Sequence, residues 1–385
     1  MRIRGGRVLT ASEGLVDTVV DIEAGRIVAL GSDTPAQPGT LDIDAAGLLL
    51  LPGVVDLHGD AFEHFLMPRS GVRFPTAVAL GEVDRQLLAN GITTAYHGVT
   101  YSWEPGLRGR ETVVAVMQAL ETLAGTLGCD TRLHLRFEMH NLDAEAEVVD
   151  WLASGRLGLL ALNEHTEMIL GRLDRAEKLS QYTERSGLDG DAYRALVERV
   201  AARGDEVPGC IERLGRAAVE AGVPLASHDD ETPAMRRQFR ALGSAICEFP
   251  CNAETAREAV AASEPVVLGA PNVLRGRSHD GRLNAAEAIA AGLCDVLASD
   301  YYYPAAVHAA FQLAAEGIDF ARAWALVSSG PADAVGLTDR GRIEPGRRAD
   351  LLVVDPQSAA GPRVMGTLIE GEMVYSRGTL SASLL

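Results

Sequence analysis

An α/β chain built as a (β/α)8 TIM-like barrel, with a small β-sandwich domain formed by both chain ends, is the fold that this sequence predicts. Three observations lead there. Eight short apolar, β-rich runs alternate with amphipathic helical stretches, and glycine-punctuated alternating strands fill both ends of the chain. Several of the central runs stop on a histidine or a carboxylate, where a parallel barrel gathers its functional groups.

Residues 1–50 read as short strands and turns: GRVLT, DTVVDIEAG and RIVALGS alternate apolar and polar positions between glycines. The same texture returns in GRIEPGRRADLLVVDP and VMGTLIEGEMVYSRG, after a helical stretch around Phe320 to Ser328. Residues 1–50 and 340–385 are therefore expected to form one composite β domain. Residues 51–339 hold the eight runs VVDLH, GITTAYHGV, LHLRFE, LGLLALNEH, VPLASH, AICEFP, PVVLGAP and CDVLASD. Between them, ETVVAVMQALETLAGTL, DAYRALVERVAARG and IERLGRAAVEAG carry helix formers at helical spacing, which implies a parallel sheet with crossover helices. An open doubly wound sheet is the alternative, but it spreads strand ends along a line instead of around a mouth.

At 385 residues and 47% hydrophobic content, the chain can bury a large core and a satellite domain. Its longest apolar stretch, LLLLPGVV, is far short of the roughly 20 residues that span a bilayer, and MRIRGGRVLT lacks the apolar region of a secretory signal. The five cysteines contain no CxxC pair, which fits a reducing cytoplasm better than a disulfide framework. A net charge of −18 argues against nucleic acid as a partner, since phosphate backbones are bound through basic surfaces. A small anionic substrate in a local pocket remains compatible with it. The expectation is no membrane, no nucleic acid, and a homo-oligomer, with a dimer first.

The run LPGVVDLHGD ends in His58 and Asp60, whose i, i+2 spacing puts both side chains on one side of a strand end. A single histidine after an apolar run is as often a hydrogen-bonded core residue as a ligand. The pattern repeats, however: LHLRFE, LGLLALNEH, VPLASH and CDVLASD end in Glu138, His165, His228 and Asp300. Five runs terminating in cation-binding residue types point to a metal site assembled from many strands.

On this reading His58 and Asp60 hold one divalent ion, His165 and His228 hold a second, and Glu138 bridges them. The bridge falls to Glu138 because Lys178, the only lysine among 35 basic residues, sits in the charged segment GRLDRAEKLSQ. One or two divalent metal ions are expected. Zinc comes first, and Asp60 makes the site rich enough in oxygen for manganese or iron. Asp300 is expected to contact metal and act as general base; its plain alternative is a helix N-cap before YYYPAAVHAAF. GAPNVLRGRSH brings Asn272, Arg275, Arg277 and His279 to the mouth as substrate-binding candidates, and Arg69 in FLMPRSG adds another guanidinium. Arginine forks suit phosphate oxygens, although a solvated loop charge is the plain reading of each. His64, His97, His134, His140 and His308 are not assigned as ligands. His134 shares a strand face with Arg136 and Glu138 and is expected to fill the barrel interior, while His97 is expected to support a ligand from behind.

The PG-x-x-D-x-H opening, the split β domain and the final strand-end Asp resemble the amidohydrolase superfamily. Within it, HGD, LHLRFE, ASHDD, EFP, GAPN-x-x-RG-x-SH and SDYY, spread from about Leu51 to Phe311, resemble one branch, the diphosphatases of phosphonate catabolism. The resemblance implies metal-dependent hydrolysis of α-D-ribose 1-methylphosphonate 5-triphosphate between its α and β phosphates, with release of diphosphate. It also implies ligand roles for His58, Asp60, Glu138, His165, His228 and Asp300. The chain departs from the branch in having HGD where HTD is typical, and TEMILGR after His165. A diverged amidohydrolase acting on a cyclic amide or imide, or on another phosphoester, is the alternative. A barrel kept as a scaffold is a third reading, whose mark would be missing ligands.

Overall fold

The computed structural model describes residues 1–31, 39–277, 281–378 and 381–384. Its eight-stranded sheet is parallel and runs in sequence order: β1 (Val54–Gly59), β2 (Ile92–Tyr101), β3 (Asp130–Glu138), β4 (Leu159–Asn163), β5 (Leu225–His228), β6 (Ile246–Glu248), β7 (Val266–Gly269) and β8 (Val296–Ala298). Helices Arg110–Leu123, Glu145–Ala153 and Val207–Ala221 are among the crossovers that make parallel pairing possible.

The strands read as unbroken apolar runs because both of their faces are buried. Leu57, Tyr96, Leu159, Ala161, Ile246 and Val267 form a cluster inside the barrel. Their neighbours Leu135, Leu160, Leu162, Cys247, Val266 and Leu268 point outward into the core beneath the helices. Towards the mouth the inward positions turn polar, and on β3 they are His134, Arg136 and Glu138, all buried.

Both chain ends contribute to two further sheets. One has five strands, in the order Ser381–Leu384, Leu41–Asp44, Arg2–Arg4, Val20–Glu23 and Arg26–Leu30. The other has six, in the order Glu372–Ser376, Arg363–Ile369, Leu351–Asp355, Leu49–Pro52, Arg7–Thr10 and Gly14–Asp17. The six-stranded sheet is apolar on both faces. Val8, Leu50, Leu351 and Val353 join Ile3, Val20 and Ile43 of the other sheet in one core, whereas Leu49, Leu51, Leu352 and Val354 face the barrel core. This double burial explains why LLLL and LLVV lack alternation. Among the described residues, no helix is long and apolar enough to cross a membrane.

Candidate metal centre and active site

The barrel closes at the place where the polar groups gather. Asp300, just past β8, bridges to Gly59: its N–H donates to the His58 carbonyl at 2.8 Å, and the Asp60 N–H donates to the Asp300 carbonyl at 3.0 Å. Asp56 reinforces the seam by accepting from the Ser299 hydroxyl at 2.5 Å and from the Ser299 N–H at 2.9 Å. The β1–β2 register slips between Asp56 and Gly59, and this bulge moves the inward alternation from Val55 and Leu57 onto His58 and Asp60. Gly59 is required between them, because a Cβ there would lie 2.8 Å from the Asp56 carboxylate. Asp229, Phe249 and Asp300, the residues that follow β5 and β6 and end the β8 run, all have positive φ (62°, 53° and 57°). Non-glycine residues adopt this conformation at a cost, and such strain collects at functional sites.

Among the described residues, three groups of side chains bring their nitrogen and oxygen atoms within 4.8 Å of one another: His58 with Asp60 and Asp300, His165 with His228 and Asp229, and His58 with His134 and Glu248. Two of the imidazoles are oriented by buried carboxylates. His58 Nδ1 is 2.9 Å from Glu248 Oε1, and His165 Nδ1 is 2.6 Å from Glu138 Oε1. A carboxylate only accepts, so each Nδ1 carries a proton and each Nε2 is the nitrogen left to bind a cation, the arrangement usual for metal-ligating histidines. Among the described residues, His134 Nε2, His228 Nδ1 and Glu248 Oε2 are buried without a hydrogen-bond partner. Unpartnered imidazole nitrogens and carboxylate oxygens are the donor set of zinc, manganese or iron, so these residues fit a divalent ion.

A model of the Amidohydrolase family matches residues 49–374, which include the whole barrel and every group just described. The chain belongs to this family. It is also 30% identical over 352 residues, 90% of its own length and 93% of the relative's, to the α-D-ribose 1-methylphosphonate 5-triphosphate diphosphatase of Escherichia coli (strain K12). Among solved structures, N-isopropylammelide isopropylaminohydrolase from Burkholderia multivorans ATCC 17616 superposes with a TM-score of 0.66 at 20% identity, covering 98% of this chain and 99% of that one. A D-hydantoinase superposes with a TM-score of 0.63 at 14% identity, covering 97% and 95%. At such identities the likeness speaks for the fold.

Several expectations for this amidohydrolase need correction. Glu138 does not take the bridging position: it accepts from His165, through Nδ1 and through the backbone N–H at 3.3 Å, and it belongs to none of the three groups. Arg136 stands in that space, with its guanidinium 3.2 Å from Asp60 Oδ2 and 3.3 Å from His228 Nε2. Asp300 is not a helix N-cap, since the next helix, Ala305–Ala315, starts after Pro304. The cavity at the mouth, of ≈ 480 Å³, is lined by Asn272 but not by Arg69, Arg275 or Arg277, all of which are exposed. Arg69 sits in a small turn bridged to Val72, and Arg275 bonds the Tyr301 hydroxyl at 3.2 Å. His279 lies outside the described residues. His97 is buried edge-on against Phe62, and burial lowers its pKa to about 4.

Electrostatics divide the mouth. Burial, with Arg136 next, drives the His58 pKa well below the ordinary value, so its imidazole is neutral. Burial also opposes charge on His165, but Glu138 and Asp229 outweigh it and raise the pKa to about 9. Burial and then Asp60 push Asp300 up to about 8. Asp229 goes the other way: despite its burial, His228, His165 and Arg282 hold it far below the usual carboxylate range.

Sequence reasoning missed Glu248, Asp229 and the cations Arg172, Lys178 and Arg282 that line the cavity. Glu248 had a signal, because AICEFP also ends an apolar run on a carboxylate. Replacing it (Glu248→Gln) keeps an acceptor for His58 but removes the charge that strengthens the imidazole as a ligand. Metal affinity, measured by competition with a chelating dye, is expected to fall about 10- to 100-fold, and an unchanged affinity would exclude this support role.

Proposed function

We propose that this amidohydrolase hydrolyses α-D-ribose 1-methylphosphonate 5-triphosphate between the α and β phosphates, leaving the 5-phosphate and releasing diphosphate. The observation that carries the reading is the 30% identity, over 90% of this chain, to the Escherichia coli diphosphatase. A water oxygen bonds to the α-phosphorus, the bond from that phosphorus to the bridging oxygen breaks, and the electron pair leaves on diphosphate. His58, Asp60 and Asp300 would hold one divalent ion, His165 and His228 would contribute to a second, and an ion bound there would supply Lewis acidity at the phosphoryl group. Zinc is the first metal to test, with manganese and iron beside it.

The chain's own residues do the rest. Asp300, placed at the seam beside Asp60, accepts the proton of the attacking water on its carboxylate. Arg136 holds Asp60 in place, and Glu138 and Glu248 hold His165 and His58. Asn272, whose amide oxygen is buried and unpartnered at the cavity wall, accepts from a ribose hydroxyl. A cavity of ≈ 480 Å³ lies within the range that small-molecule sites occupy. The reading places the enzyme in the cytoplasm.

The test is a substrate panel with the metal-loaded protein: this ribose triphosphate against dihydroorotate and hydantoins. Diphosphate release with kcat/KM at least about 1,000-fold above the cyclic amides is expected, since polar groups built for one substrate reject analogues strongly. The reverse order would replace this reading with a cyclic amide hydrolase.

A further inference from the structure

The connection from β4 to β5 is an excursion that runs through helices Thr166–Leu170, Ala176–Ser186, Gly190–Ala201 and Val207–Ala221. Its first part has a core of its own, in which Ile169, Leu173, Tyr182, Tyr193 and Val197 bury one another. Three polar ties fix it further: Trp103 Nε1 donates to Thr166 Oγ1 at 3.0 Å, Arg185 forks onto the buried Glu104 at 2.6 and 3.0 Å, and Arg194 donates to the Leu173 carbonyl at 2.6 Å. The excursion is thus a preorganised wall, and it presents Arg172 and Lys178 to the cavity at the barrel mouth.

The charges facing this cavity differ in how far they are already committed. Arg136 is paired with Asp60, and Arg282 with Asp229. Arg172, by contrast, has no side-chain hydrogen bond or ion pair among the described residues. Among the described residues, Lys178 reaches only Gln181 Oε1 at 3.2 Å and Glu177 at 3.9 Å, and the Glu177 side chain is 80% exposed. Two cations without strong partners therefore look into a cavity that also carries Asp60, Asp229 and Asp300. In a chain of net charge −18, the only lysine thus lines a cavity that offers carboxylates and imidazoles to a cation and two weakly partnered cations to an anion.

We propose that Arg172 and Lys178 form a polyphosphate subsite. They bind the β and γ phosphates, the part of the substrate that leaves as diphosphate, while the α-phosphorus lies at the imidazole and carboxylate groups. This deepens the diphosphatase reading and rests on it. The guanidinium fork takes two oxygens of one phosphate and the ammonium acts as a point charge on the other. As the bond from the α-phosphorus to the bridging oxygen breaks, the charge gained by diphosphate develops beside them.

The test is calorimetric titration of the protein as purified with inorganic tripolyphosphate, followed by steady-state kinetics. The variant R172Q/K178Q is expected to bind tripolyphosphate about 100-fold more weakly than the parent chain, as loss of two charge-assisted contacts implies. The control R175Q/R257Q removes the same charge from exposed positions outside the cavity and is expected to change binding less than about threefold. R172K/K178R keeps the charge and recovers most of the affinity, which separates a binding defect from misfolding. Equal weakening in both glutamine variants, or no binding by the parent chain, overturns the subsite. Diphosphate release with an unchanged KM in R172Q/K178Q also overturns the subsite, leaving the proposed function standing. Retained tripolyphosphate selectivity in a protein inert towards the ribose triphosphate has the opposite meaning: the subsite holds and that function falls.

Discussion

Asp300→Asn is expected to lower kcat by about 1,000-fold, the middle of the range for a lost general base, with a smaller change in KM. The same substitution is expected to stabilise the metal-free protein. Asp300 is packed beside Asp60 in a largely buried seam, and its pKa rises from the ordinary 3.8 to about 8. The folded state therefore holds this proton more tightly than the unfolded chain does. Stability of the metal-free protein falls as pH rises from about 4 to 8, because folding must then keep a proton or bury a charge. Asparagine has no proton to lose and removes that slope. Thermal melts at pH 5 and pH 8 check this: the variant gains most over the parent at pH 8. A variant that is equally active, or less stable at pH 8 in the metal-free state, would contradict the role given to Asp300.

Stripping divalent metal with a chelator is expected to cut hydrolysis by at least about 1,000-fold, because the Lewis acid contributes several kcal/mol to transition-state stabilisation. It should also lower the melting temperature. An ion present at a thousand times its dissociation constant adds about 4 kcal/mol to stability. Here the effect is concentrated, since Asp60 opposes charge on the neighbouring Asp300 and a cation held between them relieves that repulsion. Readdition of zinc, manganese or iron restores both properties, and the metal that restores the most activity identifies the working ion. Melting that is insensitive to chelation, with activity retained, would mean that the imidazole and carboxylate groups serve only to close the barrel.

The barrel was legible because parallel strands buried on both faces appear as continuous apolar runs, and because its function collects where those runs stop. His58, Asp60, His165, His228 and Asp300 follow from that rule, and all five fall in groups of cation-binding geometry. What the rule leaves out is the partner across the barrel. Glu138 is at a strand end, yet whether its carboxylate meets a metal or an imidazole depends on how β3 and β4 lie side by side, and there Glu138 pairs in register with Asn163, two residues before His165. Loop cations were harder still. A position after a strand does not give the direction of a side chain, so Arg69, Arg275 and Arg277 were as plausible as any until their exposure was known. Arg172 and Lys178 belong to a helical excursion whose sequence reads as an ordinary charged surface, and only its private core turns them towards the mouth.

In the proposed reaction, water attacks the α-phosphorus of a ribose triphosphate at the closing seam of this barrel. Phosphorus NMR of the products formed by the metal-loaded protein in ¹⁸O-labelled water tests it directly. The label is predicted on the 5-phosphate, with unlabelled diphosphate released beside it. Label on diphosphate, or an unchanged triphosphate in the presence of protein that retains its metal, would contradict it.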